Sequence, residues 1–328
     1  MNKVDVLIPT YNVENYIATT LDSIKNQTLQ NINILICDDC STDKTLEIIK
    51  SYKKKDSRIK IFCNSTNQGI TFTRNKLFDL SSSEYLAICD ADDVYSAKRL
   101  QVQVDYLAQY REIDAVSSYF NHGIEGSSIR KVPLENNLIK AYFHLKNVFP
   151  NPGALIRKNS LNQKNIKYTE EFKYASDFDF WSRFSEIGRL ANVDECLFSY
   201  RIHSQQISEK KKFEQKKSHL EIVRQKLNTL NTLSCETSID AIVWKQKIQS
   251  ISRVQFVCRE VSNIIKKLSS NCQHDSLVPY VYDINLRSFC KEYGHFGLKN
   301  YIRYRGINNL IKGNLYGLKF AFDCLKKK

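Results

Sequence analysis

The stretch YLAICDADD, residues 85–93, decides how this chain folds. From Tyr85 to Cys89 it is apolar without alternation, the pattern of a short strand buried on both faces. Three carboxylates, Asp90, Asp92 and Asp93, follow at once. Working outward, the same grammar repeats. VDVLIP (4–9), INILIC (32–37), IKIFC (59–63) and DAVSSYF (114–120) read as further strands. Between them, Val13 to Asn26, TDKTLEIIKSYKKK (42–55), TFTRNKLFDL (71–80) and SAKRLQVQVDYLAQY (96–110) read as helices. Strand–helix alternation with unbroken apolar runs predicts an α/β fold around a mostly parallel central sheet. In such a sheet the strand ends share one edge, and ligands bind outside it. Pro9-Thr10-Tyr11-Asn12, Asp38-Asp39-Cys40-Ser41, Asn67-Gln68-Gly69 and the 90–93 acids are therefore expected on one side of the molecule.

Charge divides the chain. Residues 1–205 hold 26 Lys and Arg against 25 Asp and Glu, whereas residues 206–328 hold 23 against 10. From about residue 210 the pattern is helical and basic, and the tail KNYIRYRGINNLIKGNLYGLKFAFDCLKKK interleaves aromatic and aliphatic residues with Lys and Arg. That composition suits contact with an anionic surface, or core packing of a small helical domain. The expected division is 1–208, with halves at 1–120 and 121–208, followed by a basic helical region over 209–328. No run approaches a membrane span, and the N-terminus lacks the pattern of a secretion signal. Ten cysteines are scattered. Only Cys37 and Cys40 lie close, with no second pair to complete a zinc site. Unpaired thiols fit a cytoplasmic location.

The 90–93 acids suit a hard divalent cation, Mn²⁺ or Mg²⁺, which takes carboxylate oxygens and neutralises a diphosphate. A solvated loop or a helix cap is the plainer reading of an isolated Asp-x-Asp. Here a strand end places three acids together, and they repel one another without a cation. No Gly-x-Gly-x-x-Gly or Walker lysine loop is present, so dinucleotide and ATP readings lack a phosphate cradle. Asp38 and Asp39 can accept hydrogen bonds from a nucleoside, or cap the next helix. Asp177 opens an aromatic helical stretch and can act as a general base. Its plainer role is an N-cap, and Asp179, two residues on, lies on another helix face.

These residues resemble the family 2 glycosyltransferases, whose nucleotide-sugar fold is termed GT-A. The likeness runs from about residue 4 to 208. It rests on Pro9-Thr10-Tyr11-Asn12, Glu14, Asp38-Asp39-x-Ser41-Thr42-Asp43, Asn67-x-Gly69, Arg74-Asn75, Asp90-x-Asp92-Asp93, Asp177 ahead of Trp181-x-Arg183, and Tyr200-Arg201-x-His203. The resemblance implies that Thr10, Tyr11, Glu14 and Asp39 hold uridine, with Pro9 and Asn67 also at the nucleotide-sugar site. It implies that Asp92 binds the metal, with Asp90 and Asp93 beside it on ribose and diphosphate. Arg74 would contact the nucleotide or donor sugar, Asp177 would be the base, and Arg201 and His203 would lie near the diphosphate.

Among family members the chain is similar to bacterial enzymes of lipopolysaccharide, lipooligosaccharide and O-antigen synthesis. They transfer a hexose or N-acetylhexosamine from a UDP-sugar to a lipid-linked or oligosaccharide acceptor, inverting the anomeric centre to a β-linkage. A peripheral position on the inner face of the bacterial membrane is then expected. Relatives usually carry Glu-Asp where this chain has Ser176-Asp177, which bears on acceptor detail. A Gln-x-x-Arg-Trp motif is absent, so single-sugar, non-processive transfer is expected. The alternatives are a nucleic-acid-binding protein using the basic region, for which no recognition motif is found, and a nucleotidyltransferase, for which no glycine-rich phosphate loop is found.

Overall fold

The computed structural model describes residues 4–123, 128–203, 206, 211–230, 236–244, 248–271, 277–306, 309 and 314–326. The expected boundary at 208/209 and part of the basic tail lie outside these residues. Two compact units are present: residues 1–140 with 147–215, and residues 141–146 with 216–328.

The first unit is α/β. Its strands are β1 (Val4–Thr10), β2 (Ile32–Asp38), β3 (Ile59–Cys63), β4 (Tyr85–Ile88), β5 (Val94–Tyr95), β6 (Ala115–His122), β7 (Ile129–Arg130), β8 (Leu155–Arg157) and β9 (Leu190–Tyr200). Its helices are α1 (Ile17–Lys25), α2 (Thr45–Lys53), α3 (Ile70–Leu80), α4 (Arg99–Gln109), α5 (Asn136–Tyr142, shared at its end with the second unit), α6 (Lys158–Lys164) and α7 (Ser176–Ile187). All form one sheet in the order β3-β2-β1-β4-β8-β6-β9-β5, with β7 on β6. The β3-β2-β1-β4 half is parallel throughout, and β6 runs parallel to β9. The short β8 is antiparallel to both β4 and β6 and joins the two halves. Every residue of β1, β2 and β4 is buried, as their unbroken apolar runs require.

The first helix starts later than the apolar pattern suggests, at Ile17 rather than Val13. Asn12 has a φ of 51°, which breaks a helical path. The Val13 and Glu14 amides instead donate to Thr45 Oγ1 and Asp43 Oδ2.

Asp5 lies wholly buried in the middle of this apolar sheet. Burial works against its charge, but donors from Asn33, Ser83 and Ser82 outweigh it and hold its carboxyl below the usual range. Asp5→Ala strands these donors and is expected to lower stability by about 2–4 kcal/mol, read as a lower urea midpoint. A depressed folded pKa means the contribution is present above the unfolded pKa and lost as pH falls through the folded one. The wild-type advantage over Asp5→Ala should therefore shrink on acidification.

The second unit is helical: α8 (Lys212–Thr229, shared at its start with the first unit), α9 (Glu236–Trp244), α10 (Ile251–Asn271), α11 (Leu277–Lys291), α12 (Gly294–Arg305) and α13 (Asn314–Lys326). Buried Val257, Val261, Ile265, Val281, Leu286 and Phe289 form part of its core. Asp283 ties α11 to α12 by accepting from Tyr301 Oη and Arg305 Nε. A Cβ at Gly297 would lie 1.9 Å from the Cys290 carbonyl oxygen, so only glycine fits this crossing. No described helix is long and apolar enough to cross a membrane.

Candidate active site

The loops after β1 and β2 lock together. Thr10 Oγ1 donates to Asp38 Oδ1 at 3.1 Å, and the Asp39 amide donates to the Thr10 carbonyl at 2.8 Å. Asp38 also accepts from the amide and hydroxyl of Ser41, shaping a turn rather than capping α2. Asp43 sits at the start of α2 and accepts from the Thr45 amide. Pro9 lies within β1 beside Cys37. Asp39 accepts from Asn64 Nδ2 at 2.7 Å and from the Gln68 and Gly69 amides at 2.8 Å. It therefore sets the loop leading to α3, which Gly69 enters at a φ of 89°. Glu14 accepts from the Lys44 amide. Tyr11, 46% exposed, and Asn67 remain open to solvent.

The acid loop is held from behind. Thr20 Oγ1 donates to the carbonyls of Ala91 and Asp93, and Tyr95 Oη bonds the Asp90 backbone. In front, each acid meets a basic residue. Asp90 pairs with Arg74 of α3 at 2.8 Å. Asp92 Oδ2 lies 2.9 Å from His203 Nε2. Asp93 Oδ1 accepts from the Arg201 amide at 3.0 Å. Burial, with the Asp90 charge, pushes the Asp92 carboxyl up, against the pull of His203. Burial and both neighbouring acids push Asp93 well above the usual carboxylate range.

Tyr16 joins this group without any signal in its local sequence. Its ring stacks on His203 at 4.1 Å, with the Arg201 guanidinium 5.7 Å from its centre. Arg201 Nε and Nη2, His203 Nδ1 and Asp93 Oδ2 are buried with no partner among the described residues. Buried guanidinium donors without acceptors point to an anionic ligand.

Asp177 occupies the first turn of α7, two residues after its N-cap Ala175, and its carboxylate accepts from the Phe178 amide. It accepts from Asn147 Nδ2 at 3.2 Å, and Asn147 Oδ1 takes the Phe149 amide, which fixes the amide's orientation. Burial raises the Asp177 carboxyl, the Arg74 charge opposes this, and Asp90 adds to it. Asp177 thus sits within the field of the Arg74–Asp90 pair. Tyr168 feels the same three charges and packs its ring 5.3 Å from the Arg74 guanidinium. Asp179 is differently placed: it pairs with Arg183 at 2.7 Å and accepts from Thr169.

Among the described residues no three His, Cys, Asp or Glu side chains converge to hold a metal ion by themselves. A hard cation takes about six oxygens. The acid loop fits one only if a bound ligand, such as a diphosphate, completes the shell. The raised carboxyls of Asp92 and Asp93 are the mark of a cluster short of positive charge.

Comparison with known proteins shows the family and the fold. The model of the family described as Glycosyl transferase family 2 matches residues 5–168. An uncharacterized glycosyltransferase of Haemophilus influenzae is 32% identical over 276 residues, covering 80% of this chain and 83% of its own. S. aureus TarS 1–349, solved in complex with UDP-GlcNAc, superposes with a TM-score of 0.58 at 18% identity, covering 95% of this chain and 92% of its own. The Pyrobaculum calidifontis mannosyltransferase PcManGT, in complex with GDP-Man and Mn²⁺, gives 0.53 at 13%, covering 99% and 88%. At these identities the two structures show a shared fold.

Proposed function

Since this chain belongs to glycosyl transferase family 2 and is a glycosyltransferase, we propose that it transfers a hexose or N-acetylhexosamine from a UDP-sugar to an oligosaccharide hydroxyl, with inversion. The observation that carries this reading is the field shared by Arg74, Asp90 and Asp177, next to the Asp92–His203 contact. UDP-GlcNAc in TarS supports the choice of donor class. Pro9, Thr10, Tyr11, Glu14, Asp39 and Asn67 form the nucleotide wall in this reading.

Asp177 takes the proton of the acceptor hydroxyl as its oxygen attacks the anomeric carbon. The bond from that carbon to the diphosphate oxygen breaks, and the electron pair leaves with UDP. Attack from the face opposite the diphosphate converts an α-linked donor into a β-linked product. Arg74 orients the sugar. Arg201 and His203 offer donors to the departing diphosphate, where developing charge gains most from fixed dipoles. Asp92, flanked by Asp90 and Asp93, would hold Mn²⁺ or Mg²⁺, which neutralises diphosphate charge. Mn²⁺ in PcManGT supports a divalent ion of this kind.

The catalytic part in this reading is residues 1–208, and residues 209–328 form a basic region that rests on an anionic membrane. The excess of 23 basic over 10 acidic residues across 206–328 supports that role. A lipid-linked acceptor of bacterial surface polysaccharide, such as O-antigen or lipopolysaccharide, at the inner face of the membrane follows from it. Sedimentation with anionic vesicles, and not with neutral ones, is the expected outcome.

UDP release across a panel of UDP-sugars, with Mn²⁺ or Mg²⁺ and a diphosphate-lipid acceptor, tests the reading as a whole. Release that depends on both the acceptor and the ion supports it; no release with any donor removes it. Asn147→Ala tests the base through its partner. The Asn147 N–H favours ionised Asp177, so its loss moves the acid limb of the kcat/KM profile to higher pH. Activity at mildly acidic pH should fall about tenfold, the scale of one hydrogen bond to a charged group. An unmoved limb would detach Asn147 from the base.

A further inference from the structure

The helix that carries Arg74 and the helix that carries Asp177 meet on a residue that no motif marks. Tyr168 lies between α6 and α7, outside any helix or strand, and is only 3% exposed. Asn75, the neighbour of Arg74 on α3, clamps its backbone in both directions. Asn75 Nδ2 donates to the Tyr168 carbonyl, and the Tyr168 amide donates to Asn75 Oδ1, both at 2.9 Å. The ring lies 5.6 Å from the Phe78 ring of α3 and stacks on Phe180 of α7 at 4.2 Å. Its centre is 5.3 Å from the Arg74 guanidinium.

The hydroxyl makes the link specific. Tyr168 Oη donates to Asn151 Oδ1 at 2.8 Å, and Trp181 Nε1 donates to the same atom at 3.0 Å. An indole N–H can only donate, so the shared atom must be the amide oxygen. Trp181 lies one turn after Asp177 on the same face of α7. Asn151 therefore ties Tyr168 to the turn that follows the base. Arg74 has few other restraints. Among the described residues it makes one hydrogen bond, Nη2 to Asp90 at 2.8 Å, and its Nε has no partner. One ion pair fixes one end of a guanidinium and leaves its tilt open. The Tyr168 ring, whose face attracts a cation, supplies the second restraint. An aromatic that only filled the core would need the stacking on Phe78 and Phe180 and nothing more.

We propose that Tyr168 is a positioning residue, which holds the Arg74 guanidinium in register with Asp177 and so sets the donor sugar against the base. The roles of Arg74 and Asp177 in this statement rest on the proposed function; the hold of Tyr168 on Arg74 does not. Tyr168 exchanges no proton in this role, because burial keeps its phenol neutral. Its ring restrains Arg74, its backbone is set by the residue beside Arg74, and its hydroxyl reaches the helix of the base through Asn151.

Steady-state UDP release and UDP calorimetry on the full chain test this. Tyr168→Phe keeps the ring and its volume and loses only the tether to Asn151, so kcat is expected to fall about fivefold, the scale of one neutral hydrogen bond. Tyr168→Leu loses the ring as well and is expected to cost about 50-fold, the further tenfold being that of a desolvated cation–π contact. UDP affinity should match wild type in both, since the nucleotide wall is untouched. In an Arg74→Ala background, Tyr168→Leu should cost no more than Tyr168→Phe, because the ring has no guanidinium left to hold. A purely structural role would lower UDP affinity together with kcat and would cost the same with or without Arg74. That result overturns the proposal, as does wild-type kcat in Tyr168→Phe, the variant that decides if Tyr168→Leu does not fold. The Arg74 Nε–H resonance, read in ¹⁵N-arginine-labelled protein and identified by its loss in Arg74→Ala, separates the hold from the chemistry. It should shift in Tyr168→Leu, where the ring current is gone. A shift in a chain that turns over no UDP-sugar keeps the hold on Arg74 and loses the catalytic reading; an unmoved resonance removes the hold.

Discussion

Asp177→Asn should lower kcat by about 10²–10⁴-fold, the span that a positioned general base supplies, while UDP-sugar still binds with near wild-type affinity. The substitution keeps the size of the side chain and the hydrogen bond geometry around Asn147, so the fold is expected to persist. What it removes is the negative oxygen that takes the acceptor proton. Wild-type enzyme should show an acid limb in kcat/KM, because Asp177 must be ionised to act. Burial raises that carboxyl and Arg74 opposes the rise, so activity is lost as pH falls through a value above the ordinary carboxylate range. Asp179→Asn is the control. Its carboxylate pairs with Arg183 and Thr169, so it should cost stability with little change in the pH profile. Steady-state UDP release across pH for both variants decides between them. Full turnover in Asp177→Asn would leave the base unassigned.

Asp92→Ala is expected to cost about 10²–10³-fold or more in kcat/KM, comparable to the loss of one fixed group that stabilises leaving-group charge. It takes away the carboxylate assigned to the cation and also the partner of His203. Chelation of divalent ions should produce the same loss in wild-type enzyme, reversed by excess Mn²⁺ or Mg²⁺ and not by Na⁺. Extra metal should restore Asp92→Ala poorly, since the defect lies in the ligand set. Removing one acid from a cluster in which neighbours push each other's carboxyls up relieves repulsion. Thermal stability is therefore expected to hold or rise, which separates a catalytic defect from a folding one. Undiminished activity after chelation would remove the cation from the account.

The parallel half of the sheet was legible because its strands are continuous apolar runs, a local signal; β3 spans the very residues, Ile59–Cys63, that the pattern marks. Of the second half only β6 was, marked by DAVSSYF at 114–120; the rest was not, for a physical reason. β8 is only three residues long, and it pairs antiparallel with β4 and β6, partners some 70 and 40 positions away. No periodicity encodes such a pairing. β9 is harder still: its 11 residues mix polar and apolar side chains, and a bulge interrupts its register with β6.

The same contrast holds in the site. Asp90, Asp92 and Asp93 declare themselves as adjacent acids on a strand end. Tyr16 and Asn147 do not, because each matters only through a residue distant in sequence, His203 and Asp177 respectively. Asp39 was readable as a polar group at a strand end and Glu14 only through the family resemblance, yet the bonds they make are to the protein itself, to the 64–69 loop and the Lys44 amide. Sequence marks where such groups lie and not which neighbours they engage.

A crystal structure of the Asp177→Asn enzyme with an intact UDP-sugar and Mn²⁺ tests the central claim most directly, since slow turnover preserves the donor. The claim requires the diphosphate and ion against Asp92, Arg201 and His203, the sugar beside Arg74, and residue 177 facing the anomeric carbon from the side opposite the leaving group. A donor bound away from the 90–93 acids, or with residue 177 on the leaving-group side, would contradict it.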